Sequence, residues 1–251
     1  KSKVVFDMAE CYPEMYLSIA QFGRPSLADK LLKNYHITRR YEKLAVSHCD
    51  HILVMIEESR DRLLAMGVPA ERITIVSNTP IVQQVSEPIT HSGEELRIVY
   101  VGFVTKLRGI DLLVSAIHQF VNSPEGGKKI RLDVIGKGEA KSYLEEMVER
   151  LNLKDHVAIH GWLEHEDAKR IMGAANVGAL TYRFCSHWNN TIPNKVFDYM
   201  LKGLPVIATN VIPISRILVN NNCGLTSDDK NINSICEQLV KLKNPELRQR
   251  L

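Results

Sequence analysis

The stretch LRIVYVGFVTKLRGIDLLVSAIHQFV, residues 96–121, holds in one piece the unit from which most of the chain is built. It opens on a short apolar run with three β-branched residues, Ile98, Val99 and Val101, which reads as a buried strand ended by Gly102. From Gly109 the apolar residues fall at helical spacing instead, as Ile110, Leu113, Val114, Ile117 and Val121. Strand, glycine loop and helix then recur. IRLDVIG (130–136) is followed by EAKSYLEEMVERLNL (139–153), and VAIHG (157–161) by HEDAKRIMGAA (165–175). NVGAL (176–180) precedes a helix over Asn194 to Leu201, PVIAT (205–209) precedes ISRILV (214–219), and a last helix is expected near Ile232 to Leu242. Apolar strands alternating with helices imply a parallel sheet covered on both faces, here a doubly wound α/β domain.

The chain before it reads differently. VVFD (4–7), HILVMI (51–56) and ITIVSN (73–78) are strands, a long amphipathic helix is expected over Leu27 to His48, and ESRDRLLAMG (58–67) is a helix closed by Gly67. Two or three strands make the tail of a second doubly wound domain and not a whole one. TPIVQQVSEPITHSGEE (79–95) has two prolines and little periodicity, and reads as the linker. The expected division is therefore 1–90, with the linker from about 79, and 91–251.

Composition excludes several classes. Of 251 residues 45% are hydrophobic and 24% charged, so a core can form. The net charge of +3 is too weak for a nucleic-acid binder. It also lies wholly in the second part: residues 1–90 carry 11 basic and 11 acidic groups, residues 91–251 carry 21 and 18. That slight excess suits a small anionic ligand. Five scattered cysteines without a CxxC pair suggest neither zinc nor a disulfide framework, and read as a reducing, cytoplasmic setting. No apolar run is long enough to span a bilayer. The 27–46 helix does carry Lys30, Lys33, Arg39, Arg40 and Lys43, diluted by Asp29 and Glu42. It reads as a solvated face or as one lying on an anionic membrane at the inner surface.

Ligands of an open parallel sheet bind beyond the carboxyl ends of its strands, so the loops there are where chemistry is sought. GFVTKLRG (102–109) has Gly102 at the strand end, Lys106 and Arg108 inside, and a helix N-terminus behind, which reads as an anion site or as a tight turn with two solvated cations. It is not GxGxxG, and no acidic residue stands about 20 positions on, so a dehydrogenase reading is poor. GKGE (136–139) brings Gly136 and Gly138 to face a base or a phosphate. The backbone of HGWLEHED (160–167) is placed to read a nucleobase edge. Trp162 is counted with that site although its ring is expected to pack, and His160 and His165 are read as structural. In HWNNTIPNKVFDYM (187–200) Pro193 opens a helix, and the amides of Asn194, Lys195 and Val196 suit a diphosphate. Asp198, one turn on, is an acceptor for two ribose hydroxyls, and Asn190 reaches toward a sugar. The same stretch also fits an N-capped helix with an exposed Asp.

Taken together, VYVGFVTKLRGIDLLVSAI, LDVIGKGE, VAIHGWL and PNKVFDYMLKGLPVIAT, in this order and spacing, resemble the C-terminal domain of glycosyltransferase family 4, the retaining enzymes of GT-B fold. VVFDMAECYPE, HCDHILVMIEES and ERITIVSNTP are similar to the last third of that family's N-terminal domain. The resemblance implies two Rossmann-like domains, the first incomplete in this chain, and a complete protein expected to be longer than this chain at both ends. It implies a UDP- or GDP-type sugar donor held by the second domain, a saccharide or lipid-linked acceptor, transfer with retention, and no cofactor or bound metal. It assigns phosphate binding to Arg108, the ribose to Asp198 and the transferred sugar to Asn190; charge growing on the leaving diphosphate is expected to be met by Arg108, by Lys195 or Lys106, and by the amides at Asn194 to Val196. Departures stand at Phe103, where the family often has Arg, at Asn190 and Asp198 for two glutamates, and at Ala9, where a His is often found. They keep two alternatives open: a catalytically silent nucleotide-sugar-binding module and a GT-B nucleotide-sugar epimerase.

Overall fold

The computed structural model describes residues 2–23, 33–78 and 95–251. The linker expected over 79–95 lies outside the described residues except for Glu95, as does the 27–32 part of the long helix. The chain divides into two compact units, Lys1–Thr79 with Phe184–Pro193, and Pro80–Arg183 with Asn194–Leu251.

The first unit holds three parallel strands, β1 (Val5–Met8), β2 (His51–Val54) and β3 (Ile73–Ile75), in the order β1-β2-β3. Its helices are α1 (Tyr12–Phe22), α2 (Tyr35–His48) and α3 (Glu57–Ala65). Asn34 caps α2 by accepting from the amides of His36 and Ile37. The core gathers Met8, Cys11, Val46, Ile52, Val54 and Leu63. Next to it lies a buried ion cluster: one Arg62 nitrogen donates to Glu14 and to Glu42, each at 2.6 Å. Helix α1 is absent from the sequence expectation, although Pro13 in its first turn, followed by Glu14, is a helix-start signal.

The second unit alternates β4 (Leu96–Val101), α4 (Ile110–Val121), β5 (Ile130–Ile135), α5 (Lys141–Arg150), β6 (Val157–Gly161) and α6 (His165–Ala174). It continues through β7 (Val177–Leu180), α7 (Lys195–Leu201), β8 (Val206–Thr209), α8 (Ile212–Asn220) and β9 (Gly224–Ser227). It closes with α9 (Ile232–Leu242) and α10 (Pro245–Arg250). All strands are parallel, in the order β6-β5-β4-β7-β8-β9. Chain progress reverses between β4 and β7, which makes their carboxyl ends the topological switch point of the sheet. Every residue of β7 and β8 is buried, as a central parallel strand requires. The sequence reading lacks β9, whose GLTS has one large apolar residue, and α10, although Asn244 before Pro245 marks its start.

Candidate functional site

Beyond β4 the chain makes a single 3-10 turn over Lys106–Arg108 and then enters α4 through Gly109, whose φ of +61° is left-handed. A Cβ at Gly109 would lie 2.0 Å from the Thr181 carbonyl oxygen, so glycine lets the turn seat against the end of β7. Thr181 Oγ1 returns a hydrogen bond of 3.0 Å to the Gly109 carbonyl. Arg183 donates to the Lys106 carbonyl at 3.0 Å and to Asp111 at 2.5 Å. The cationic turn is thereby fastened at the switch point.

Arg108 itself is half-buried. Its guanidinium donates to the Tyr182 hydroxyl and lies 5.0 Å over the Tyr182 ring, while the Tyr100 hydroxyl donates to the Phe103 carbonyl at 2.6 Å. Burial works against the arginine charge, but the phenol oxygens of Tyr182 and Tyr100 outweigh it and hold its pKa above the ordinary value. Burial raises both tyrosines, so they remain neutral. Neutral partners leave the guanidinium's own charge intact.

Gly102, Gly136 and Gly138 lie side by side past the strand ends, but two of them are explained without a ligand. A Cβ at Gly136 would fall 1.8 Å from the Gly102 carbonyl oxygen, and one at Gly138 would fall 2.2 Å from that of Val104. These glycines let neighbouring loops touch: the Val104 amide donates to Lys137 and that of Ala140 to Val104. The expectation that Trp162 packs is corrected. Its ring is 69% exposed, with the Lys137 ammonium 5.3 Å over it. Lys106 lies 5.4 Å over the Tyr143 ring, and Phe103 is exposed. His160 bonds Asp133 at 2.7 Å, and His165 opens α6.

Helix α7 begins at the carboxyl end of the same sheet. Its Tyr199 hydroxyl accepts from the Val101 amide at 3.1 Å and reaches the Val99 carbonyl at 3.3 Å, which locks the helix onto β4. Asn194 caps it through its carbonyl, which accepts from the Phe197 and Asp198 amides. The helix starts at Lys195, with Val196 buried beneath its first turn. Lys195 and Asp198 form an ion pair of 2.7 Å, both about one third exposed. The sequence reading gives these two separate duties. The ion pair offsets the Asp198 charge within the first turn of the helix.

Asn190 belongs to the first unit. It ends a 3-10 turn, Trp188–Asn190. Its side-chain amide donates to the Ser186 carbonyl at 2.7 Å, and its own carbonyl accepts from Ser59 Oγ at 2.7 Å and Cys11 Sγ at 3.5 Å. The structure thus gathers Gly102, Lys106, Arg108, Gly136, Gly138, Trp162, Asn194, Lys195, Val196 and Asp198 in the second unit, and Asn190 in the first. Tyr182 and Tyr100, the supports of Arg108, are absent from the sequence reading; Tyr182 lies 74 positions away from it and no local pattern links them. The Cys11 thiol is pushed up to about 12 by burial and is no nucleophile. Among the described residues no group of three His, Cys, Asp or Glu is placed to hold a metal, and no helix is long and apolar enough to cross a membrane.

This α/β architecture of parallel sheets is of the GT-B kind, and the sequence of the second unit carries the family signature. A sequence profile described as Glycosyl transferases group 1 matches residues 95–244, and the chain belongs to that family. It is 26% identical over 205 residues to a component of the human phosphatidylinositol N-acetylglucosaminyltransferase, covering 79% of this chain and 40% of that protein. Among solved structures it is similar to sucrose-phosphate synthase from Thermosynechococcus elongatus, with a TM-score of 0.74 at 18% identity over 98% of this chain and 60% of that one. It is also similar to HepE from Anabaena in complex with UDP, with a TM-score of 0.69 at 15% identity over 99% of this chain and 66% of that one. The chain therefore spans only part of the length of these relatives.

Proposed function

We propose that the second unit binds a nucleotide-diphosphate sugar and serves the transfer of that sugar, with retention, to a saccharide or lipid-linked acceptor. The observation that carries this reading is Arg108, held by the buried Tyr182 at the switch point beyond β4 and β7. Negative charge grows on the diphosphate as the glycosidic bond to it breaks, and a fixed donor there stabilises it with little reorganisation. In this reading Arg108 and Lys106 meet the diphosphate from one side, and the first amides of α7 at Lys195 and Val196 from the other. Asp198 accepts from the ribose hydroxyls while Lys195 offsets its charge. Trp162 and the loop at Gly136 and Gly138 flank the base, and the UDP carried by the Anabaena neighbour makes uridine the first nucleotide to try. The proposal draws on the second unit alone.

Calorimetry with UDP, GDP and ADP and their sugars tests it. One nucleotide class should bind, and Arg108→Ala should weaken it at least about tenfold while slowing transfer by about 100–1,000-fold. Affinity and rate within about threefold of the parent would remove Arg108 from the leaving group. Retention is checked by the anomeric configuration of the product, which inversion would contradict. A silent binding module is the second reading, favoured by the Asn190 amide being engaged with Ser186 inside the first unit. Donor binding without hydrolysis or transfer across a donor panel would decide for it.

A further inference from the structure

Three buried hydroxyls step along the carboxyl ends of β9, β8 and β7. Ser227 donates to the Ala208 carbonyl at 3.1 Å, Thr209 to the Tyr182 carbonyl, and Thr181 to the Gly109 carbonyl at 3.0 Å. The Arg183 amide adds a bond of 3.1 Å to the Leu107 carbonyl. Tyr182 is therefore held on both sides, through its own carbonyl to β8 and through its two neighbours to the cationic turn. Its side chain is wholly buried, so its hydroxyl, which accepts from Arg108, is fixed in place. Gly102 bears on the same group. A Cβ there would stand 3.2 Å from the Tyr100 hydroxyl and 3.7 Å from Arg108 Nη1. Gly136 and Gly138 make room for backbone, whereas Gly102 makes room for the side chains around Arg108.

We propose that Tyr182 is a positioning residue: its hydroxyl holds Arg108 ready for the phosphate farther from the base, so that the site takes nucleoside diphosphates in preference to monophosphates. This rests on the reading of Arg108 as the diphosphate donor. The sheet order supports the choice of phosphate. Trp162 follows β6 and the Arg108 turn follows β4, with β5 between them. Two strand spacings are roughly 10 Å, so a base beside Trp162 leaves Arg108 to the far end of the ligand. A long arginine side chain loses much rotamer freedom when a ligand orders it. A guanidinium already tied to a buried phenol has lost that freedom beforehand, and binds an anion with little reorganisation. The phenol stays neutral, so it aims the cation without cancelling its charge.

Calorimetry with UDP and UMP tests this, with GDP and GMP where the uridine nucleotides do not bind. Four proteins are compared: the parent, Tyr182→Phe, Arg108→Ala and the double variant. Phenylalanine keeps the ring and removes the hydroxyl alone. Tyr182→Phe should weaken the diphosphate about fivefold, the worth of one hydrogen bond, and leave the monophosphate within about twofold. Added to Arg108→Ala it should change neither, because the hydroxyl acts only through the guanidinium. Should Tyr182→Phe fail to fold, Thr209→Val unties the Tyr182 carbonyl and should give the same contrast between the two nucleotides. Equal losses for both nucleotides, or a full further loss on top of Arg108→Ala, would make Tyr182 merely structural and overturn the proposal. So would an unchanged Tyr182→Phe beside a weakened Arg108→Ala, which leaves the role of Arg108 standing. A parent that binds none of the four nucleotides, or an Arg108→Ala variant as tight as the parent, overturns the reading of Arg108 itself and the proposal with it.

Discussion

In the second unit β4 has a strand on each side, and Leu96, Ile98, Val99 and Tyr100 are all buried. In the first unit, among the described residues, β1 pairs with β2 on one side, and Val5 stands mostly in water. The two runs, LRIVYV and VVFD, are of the same apolar, β-branched kind. What separates them is the number of neighbours, not the strands' own chemistry. A parallel strand is stabilised by what covers it. The second unit can hold a cation such as Arg108 at a fixed place because its loops are wedged between one another. The first unit instead relies on a buried charge cluster and on pairing at the start of β1.

The sharpest way to break this comparison is to spoil the wedging. Gly136→Ala would push a Cβ to 1.8 Å from the Gly102 carbonyl oxygen, at a φ of +143° that alanine resists. The expected loss is above about 4 kcal/mol, the range reserved for overpacking combined with backbone strain. Each unit holds one of the chain's two tryptophans, Trp162 in the second and Trp188 in the first, so denaturant unfolding reports on both. The exposed Trp162 should change at much lower denaturant in the variant, and the buried Trp188 should move little. A loss under about 1 kcal/mol would mean that the loops give way easily and that the fixed place of Arg108 has another source.

The same contrast explains what the sequence discloses. The strands from β4 to β8 are legible because each is a run of apolar residues ended by glycine, polar residues or a turn. β9 is not, because its neighbour β8 supplies the covering and GLTS needs little apolar content of its own. The loops at 102–109 and 136–139 are legible as strand-end loops from the alternation of strand, glycine and helix. The use of their glycines is not, since Gly136 answers to a backbone 34 positions away. Lys195 and Asp198, three apart, were open to reading as a helical ion pair. Asn190 was not open to placement at all, because its partners Ser59 and Cys11 lie in a different part of the sequence.

A smaller but still large effect is expected at the charge cluster of the first unit. Arg62→Leu leaves Glu14 and Glu42 buried without their shared guanidinium. Breaking such a cluster from one side costs about 3–5 kcal/mol, because the remaining charges keep their desolvation penalty. Trp188 should report this loss and Trp162 should not, the mirror image of the glycine variant. Adding Glu14→Gln and Glu42→Gln to Arg62→Leu should return most of the stability, since a neutral, well-filled site is often as stable as the ion pair it replaces. If the triple variant were no better than Arg62→Leu alone, shape and not charge would govern the cluster.

The smallest effect belongs to the start of β1. The Asp50 carboxylate accepts the Val4 amide at 2.8 Å and the Lys3 ammonium at 3.2 Å. The Val4 hydrogen bond first, and Lys3 next, hold its pKa below the ordinary aspartate value. A depressed carboxylate pKa means that the folded state binds its proton less readily than the unfolded chain. The resulting stability is present above the unfolded pKa and is lost as pH falls through the folded one. The group is exposed, so the contribution is small and screened by salt. Asp50→Asn should lower the melting temperature of the first unit slightly at neutral pH. The two proteins should converge in acid, where Asp50 in the parent is protonated too. A gap that persisted at acid pH would tie the effect to shape, and the edge strand would then be fastened by packing alone.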